Sequence, residues 1–151
     1  MNKIVAQTLA KKENGEKGFT LIELLVVVII IGILAAIAIP VFLNMRTGAW
    51  KSSVESDVNN AILAVEQAAQ ANNGAYASLT STPATGKIGA TAAVQGSVGT
   101  QKFSASDGNT ITVSAITKDG YTVTGTNVDY GVKNEYSYTS ADGAKKWTTK
   151  P

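Results

Sequence analysis

The feature that most constrains this chain is an uninterrupted apolar run, residues 24–43, which carries no charged side chain. A helix of that length spans the hydrocarbon core of a bilayer, which is about 30 Å thick. A cleaved secretory signal has a shorter apolar stretch, about 7 to 15 residues, followed by a small-residue cleavage site. Here Arg46, Trp50 and Lys51 follow the run without a clear site of that kind. The run therefore predicts a retained single-pass membrane helix.

Basic residues on the two sides of the run indicate its orientation. Lys11, Lys12 and Lys17 precede the run, and Arg46 and Lys51 follow it. Because cytoplasmic flanks carry the excess of Lys and Arg, this distribution predicts a cytoplasmic amino terminus. The part of the chain after the run would then lie outside the cytoplasm.

Composition argues against several classes of function. The formal net charge of +2 resides in the first 18 residues, where four lysines stand against two glutamates. The neutral remainder gives no electrostatic reason to expect specific nucleic-acid binding. The chain has no Cys and no His, so it lacks thiolates, disulfides and the commonest general base and metal ligand. We predict a protein that is not an enzyme, with no catalytic residue, metal site or cofactor.

The junction before the apolar run reads KGFTLIEL over residues 17–24. It resembles the prepilin processing site of type IV pilins and of the pseudopilins in type II secretion and competence systems. The resemblance implies that a membrane peptidase cuts between Gly18 and Phe19 on the cytoplasmic side and that Phe19 becomes N-methylated. A glycine at the cut suits a backbone that must lie extended and close to an enzyme. The apolar run would stay in the mature protein.

Glu23 is the one carboxylate at the edge of the run. A charge there costs on the order of 2 to 3 kcal/mol on insertion scales, so an unpaired one suggests function. Cleavage would supply a partner, the new amine at Phe19, and the resemblance implies that Glu23 meets the amino terminus of a neighbouring subunit during assembly. The alternative is an interfacial carboxylate that merely favours the positive end of the helix dipole.

Gly32 and Pro40 are two residues within the run that can affect the geometry of its helix. Proline inside a helix removes a backbone donor and clashes with the preceding turn, so Pro40 is expected to bend or loosen the helix. The resemblance implies a locally extended stretch in the filament between these two positions. Both residues are also common in transmembrane helices, which is the simpler reading.

The sequence predicts an α+β fold in which one long helix packs on a carboxy-terminal antiparallel sheet, as in the pilin fold. Beyond Arg46 the helix becomes amphipathic, and it is expected to end at the Asn-Asn-Gly of residues 72–74, which suits a left-handed cap. The apolar stripe that should face the sheet is Val54, Val58, Ala61, Ile62, Val65, Ala68 and Ala69. The expected parts are a leader (1–18), a membrane and filament-core helix (19–50) and a globular domain (51–151).

Within the globular domain we expect a loop over 74–101 with at most short structure, followed by a meander over 102–149. Three Asp-Gly pairs, at 107–108, 119–120 and 142–143, are strong hairpin signals. They predict four strands near 102–106, 110–117, 121–126 and 133–140, with a possible last strand near 144–149. The same aspartates could instead bind calcium, although no spaced calcium loop is present.

The leading functional hypothesis is a structural subunit of a type IV pilus, anchored in the cytoplasmic membrane as a precursor and then polymerised through its helix into an extracellular filament for adhesion, motility or DNA uptake. Its expected partners are its own copies, a prepilin peptidase and methylase, and a separate assembly ATPase and platform protein, because the chain has no phosphate-binding loop of its own. One alternative is the major pseudopilin of a type II secretion or competence system. An alternative from another class is a membrane-anchored binding module that never polymerises.

Overall fold

A computed structural model describes residues 19–86 and 93–151 of the chain. The described part contains one helix, α1 (Leu21–Ala71), followed by eight short strands, and it confirms the α+β class. The strands are β1 (Ser81–Thr82), β2 (Ala84–Thr85), β3 (Gly96–Val98), β4 (Gln101–Phe103), β5 (Asn109–Thr117), β6 (Gly120–Asn127), β7 (Asn134–Thr139) and β8 (Ala144–Thr149). The chain divides into two compact units between Phe42 and Leu43.

The first unit is the apolar part of α1. By length and composition, α1 is able to cross a membrane, and none of the residues in its most apolar window is buried. Large aliphatic side chains such as Ile29 and Leu34 are more than half exposed. Pro40 lies inside the continuous helix, so the loosening expected between Gly32 and Pro40 stays a prediction. Exposed apolar surface of this extent requires a cover of lipid or protein.

In the second unit, the remainder of α1 packs on a five-stranded antiparallel sheet of order β2-β5-β6-β7-β8. The expected stripe faces the sheet: six of its seven members are buried, and Ile62 is partly buried. The sheet contributes Ile111 and Val113 from β5, and Tyr121 and Val123 from β6. Alternate residues of these strands point to the helix because the side-chain period of a strand is two.

The prediction that a strand near 102–106 belongs to this meander is wrong. Residues 101–103 form β4, which pairs with β3 in a separate three-stranded sheet of order β1-β3-β4. Phe103 is buried opposite Gly96, where any larger side chain would collide with the phenyl ring. The expected loop 74–101 therefore holds β1, β2 and β3. The possible last strand, β8, is a full member of the main sheet.

The predicted end of α1 is confirmed. α1 ends at Ala71, Asn73 and Gly74 have φ of 56° and 81°, and Gly74 N donates to Ala69 O at 2.7 Å. These are the left-handed residues and the closing hydrogen bond of a helix cap. Of the three Asp-Gly pairs, those at 119–120 and 142–143 stand at hairpins, β5–β6 and β7–β8. The hairpin predicted at 107–108 is wrong, because β4 and β5 belong to different sheets, although Gly108 has a positive φ of 79°.

Candidate functional site

A capping box starts α1. Glu23 Oε2 accepts hydrogen bonds from Thr20 N at 2.9 Å and from Thr20 Oγ1 at 2.7 Å. In return, Glu23 N donates to Thr20 Oγ1 at 3.3 Å. This reciprocal pairing of Thr at the N-cap with Glu three residues later satisfies donors that a helix start otherwise leaves unpaired. The Thr-x-x-Glu spacing of residues 20–23 is the sequence signal for this box. Thr20 was not among the residues predicted to be functional.

The Glu23 carboxylate borders a shallow apolar groove. The groove has a volume of about 400 Å³, and Phe19, Ile22, Val26 and Val27 line it together with Glu23. Within the described residues, the hydrogen bonds of the Glu23 carboxylate all fall on Oε2. Oε1 can therefore accept a further donor, and a carboxylate among apolar side chains favours a cationic one.

The structure brings Phe19 and Glu23 together along one groove. Phe19 is 82% exposed at the start of the described chain. Gly18 lies outside the described residues, so the geometry of the predicted cleavage bond is not defined. Gly32 and Pro40 lie further along α1, and a Cβ at Gly32 would meet nothing within 4 Å beyond its chain neighbours and the adjacent helix backbone.

A buried polar network in the second unit carried no recognisable signal in the sequence. Asp57, 5% exposed, accepts hydrogen bonds from Ser106 N, Ser106 Oγ and Asn109 Nδ2 at 2.6, 3.0 and 2.7 Å. Asn109 Oδ1 in turn accepts from Asn127 Nδ2 at 2.7 Å. A buried carboxylate is tolerated when donors surround it. This network joins α1 to β5 and β6.

Trp147 holds the last strand against the helix. Its Nε1 donates to Glu55 Oε1 at 2.8 Å, and its ring lies 5.2 Å from the ring of Tyr136 and 5.4 Å from that of Tyr130. Lys51 Nζ stands over the Tyr130 and Trp147 rings at 5.3 and 5.7 Å. These contacts give Tyr130 and Trp147, which are both partly buried, a packing role.

The aspartates of the three Asp-Gly pairs lie in separate turns. Asp119 contacts Lys118 Nζ at 3.0 Å, and Asp142 Oδ1 accepts from Ala144 N at 2.9 Å. Over residues 19–86 and 93–151, no group of three or more His, Cys, Asp or Glu is arranged to hold a metal ion. Asp119 and Asp142 stand in the hairpin turns that join β5 to β6 and β7 to β8, whereas Asp107 precedes β5, whose chain predecessor β4 belongs to the other sheet.

Comparison with known proteins finds matches to the amino-terminal part of the chain. Residues 14–39 match the family model for the prokaryotic N-terminal methylation motif. This match covers the Gly18–Phe19 junction, Glu23 and most of the apolar run. The amino-terminal segment thus carries this methylation motif.

Several named relatives are similar over part of their length. The type IV major fimbrial protein FimA of Dichelobacter nodosus is 53% identical over 51 residues, 34% of this chain and 33% of FimA. The type IV major alpha-pilin of Moraxella bovis is 44% identical over 55 residues, 36% of this chain and 35% of that pilin. The type IV narrow pilus major component PilA5 of Thermus thermophilus is 52% identical over 40 residues, 26% and 34% of the two chains. The chain thus matches about a third of the length of these curated relatives, and no solved structure matches it.

Proposed function

We propose that this chain is the structural subunit of a type IV pilus and not an enzyme. One observation carries the proposal: a methylation motif leads directly into a helix whose apolar surface is exposed along its first half. The relatives are named as fimbrial proteins and pilus components. A subunit of this kind can cover that surface twice, first with lipid as a membrane precursor and later with the helices of its own copies.

The processing steps follow from the motif. A prepilin peptidase cleaves between Gly18 and Phe19, and a methylase modifies the new amino terminus at Phe19. The precursor lies in the cytoplasmic membrane with its amino terminus inside, and the filament forms on the cell surface. A separate ATPase and platform protein supply the energy and the scaffold for assembly. Gly32 and Pro40 are the places where α1 loosens when it packs in the filament.

Glu23 acts in assembly by pairing with the amine of Phe19 of a neighbouring subunit. The capping box supports this role because it holds the carboxylate at the helix start while Oε1 stays open. In a lipid-like interior, a charge is tolerated mainly when it is paired. Capping and pairing are separate functions of one side chain, and two substitutions can distinguish them.

Glu23→Gln keeps the cap, since Gln also completes a capping box, but it removes the charge. Thr20→Val removes the N-cap hydroxyl and keeps the charge; loss of such a cap costs about 1 kcal/mol. We expect Glu23→Gln to leave few filaments and Thr20→Val to leave many. The measurement is the filament yield in material sheared from cells, compared at equal membrane levels of the subunit.

Mass spectrometry of the sheared material provides the control for processing. The mature wild-type protein and Thr20→Val should both begin at methylated Phe19. Normal filament yield from Glu23→Gln would show that the carboxylate serves the cap alone. A wild-type chain that is processed yet yields no filament would instead support a membrane-anchored binding module.

A further inference from the structure

Arg46 and Trp50 form a cation–π pair just after the apolar run ends at Leu43. The Arg46 guanidinium carbon lies 4.8 Å from the centroid of the Trp50 ring. The two residues are four positions apart on α1, so they share one face of the helix. Arg46 is exposed and Trp50 is partly exposed, so a ligand can reach both side chains.

The pair stands at the height of lipid headgroups when residues 24–43 fill the bilayer core. At 1.5 Å of rise per residue, Arg46 lies about 4.5 Å beyond Leu43 and Trp50 about 10.5 Å beyond it. The polar layer on each side of the hydrocarbon core is about 5 to 7.5 Å thick. Helical side chains lean back over the preceding turn. The Trp50 side chain leans toward Arg46 in this way, so the Trp50 ring lies at about the same membrane depth as the Arg46 guanidinium.

Trp50 also has a donor that the protein does not use. Within residues 19–86 and 93–151, its indole Nε1 makes no hydrogen bond, whereas Trp147 Nε1 donates to Glu55 at 2.8 Å. An indole at a membrane surface places its ring against apolar groups and its N–H against polar ones. The two tryptophans of the chain thus have different roles: Trp147 is a packing residue, and Trp50 has an unused donor that can face a ligand.

The neighbouring polar side chains of α1 are engaged elsewhere. Lys51 Nζ lies over the rings of Tyr130 and Trp147. Thr47 Oγ1 donates back to Leu43 O at 3.1 Å. Lys51 and Thr47 thus make contacts of their own, separate from the Arg46–Trp50 pair.

We propose that Arg46 and Trp50 bind phospholipid headgroups on the non-cytoplasmic face of the membrane and thereby fix the insertion depth of the precursor. The guanidinium matches a phosphate in charge and in its paired donors. Such anchoring would hold the subunit ready for extraction into the filament at one defined height. The inference rests on the membrane-inserted precursor of the proposed function, but on no property of the filament.

The test reconstitutes the full chain in phosphatidylcholine vesicles and measures tryptophan fluorescence. One set of vesicles carries lipid brominated near the glycerol end of the acyl chains, and the other carries lipid brominated near the methyl end. The emission of Trp50 is obtained by subtracting the spectrum of Trp50→Phe from that of the wild type, because the variant retains only Trp147. We expect the shallow quencher to remove more of this emission than the deep quencher.

The charge is tested with Arg46→Gln. Adding phosphatidylglycerol should shift the Trp50 emission of the wild type to shorter wavelength and increase shallow quenching. Arg46→Gln should lose this response, and Lys118→Gln should keep it, because it removes an equal charge from the exposed β5–β6 turn. A response that Arg46→Gln retains would overturn the role of the guanidinium.

Vesicle flotation separates this proposal from the function on which it rests. A chain that fails to float with the vesicles contradicts both the membrane precursor and the anchor. A chain that floats, but whose Trp50 emission is unquenched or is quenched mainly by the deep lipid, overturns the anchor alone.

Discussion

At the scale of single residues, the Glu66 carboxylate of the second unit accepts hydrogen bonds from two tyrosines. Its Oε1 accepts from Tyr121 OH at 2.6 Å, and its Oε2 accepts from Tyr76 OH at 3.0 Å. The two rings are 5.4 Å apart. Burial, and next the hydrogen bond to Glu66, raises the pKa of Tyr121 well above its usual range. The pKa of Tyr76 is raised by the same two causes.

This arrangement predicts a loss of stability at alkaline pH. A phenol whose pKa is higher in the folded state than in the unfolded state stabilises the fold fully below the unfolded pKa, about 10. That contribution is lost as the pH rises above this value, because the unfolded chain releases its proton first. Tyr121→Phe should cost about 1.5 to 3 kcal/mol at neutral pH, the range for hydrogen bonds to charged groups, and should flatten the alkaline decline.

Denaturant unfolding of the full chain in mild detergent, followed by near-ultraviolet circular dichroism, measures both effects. The aromatic signal reports on the second unit, where both tyrosines lie. If Tyr121→Phe declined as steeply as the wild type above about pH 10, another group would be responsible for the titration.

At the scale of elements, the approach of α1 to β6 depends on Gly125. A Cβ placed there would come within 2.6 Å of Val54 Cγ1, 2.7 Å of Val58 Cγ2 and 3.0 Å of Ile111 Cδ1. Real Cβ atoms do not approach buried carbons so closely, and branched valine side chains cannot swing away. The absence of a side chain at Gly125 therefore sets the distance between helix and sheet.

Gly125→Ala should destabilise the second unit by about 1 to 3 kcal/mol, the range for overpacking a core. Thr124→Ala is the matched control, because Thr124 is next in the strand and lies on the other side of the sheet, where a change costs at most about 1 kcal/mol. Thermal unfolding of the two variants side by side provides the measurement. An equal loss for both variants would indicate a strand-propensity effect and not a packing one.

The elements also show what the sequence could predict. The helix, its stripe, its cap and the turns of the meander follow from local signals that the residues carry themselves. The two-residue strands β1 and β2 are too short for any periodicity, and their pairing is decided by distant partners such as Ile111 for Ala84. Asp57 reads as an ordinary polar position on the helix, since its donors come from Ser106 and Asn109, far along the chain. At the candidate site, the sequence points to Glu23, whose role in assembly stays a prediction, and its capping partner Thr20 was overlooked.

At the scale of the whole molecule, the two units differ in whether their apolar side chains are exposed or buried. The first unit presents apolar side chains to its surroundings. The second unit keeps its core to itself: every buried hydrophobic residue in the described part lies at Val54 or beyond. Removing the chain before Thr47 therefore deletes none of these core residues.

A fragment of residues 47–151 should consequently be soluble and fold on its own. Thr47 would begin the shortened helix as an N-cap residue, and the stripe from Val54 onward would still be covered by the sheet. Far-ultraviolet circular dichroism should show both helix and strand, and heating should give one cooperative transition, as a single domain of this size does. Trp147→Ala in the same fragment is the internal control, since it releases β8 from α1 and should lower the transition temperature. A fragment that melts without cooperativity, or stays disordered in water, would mean that the second unit depends on the apolar half of α1 or on neighbouring subunits for its fold.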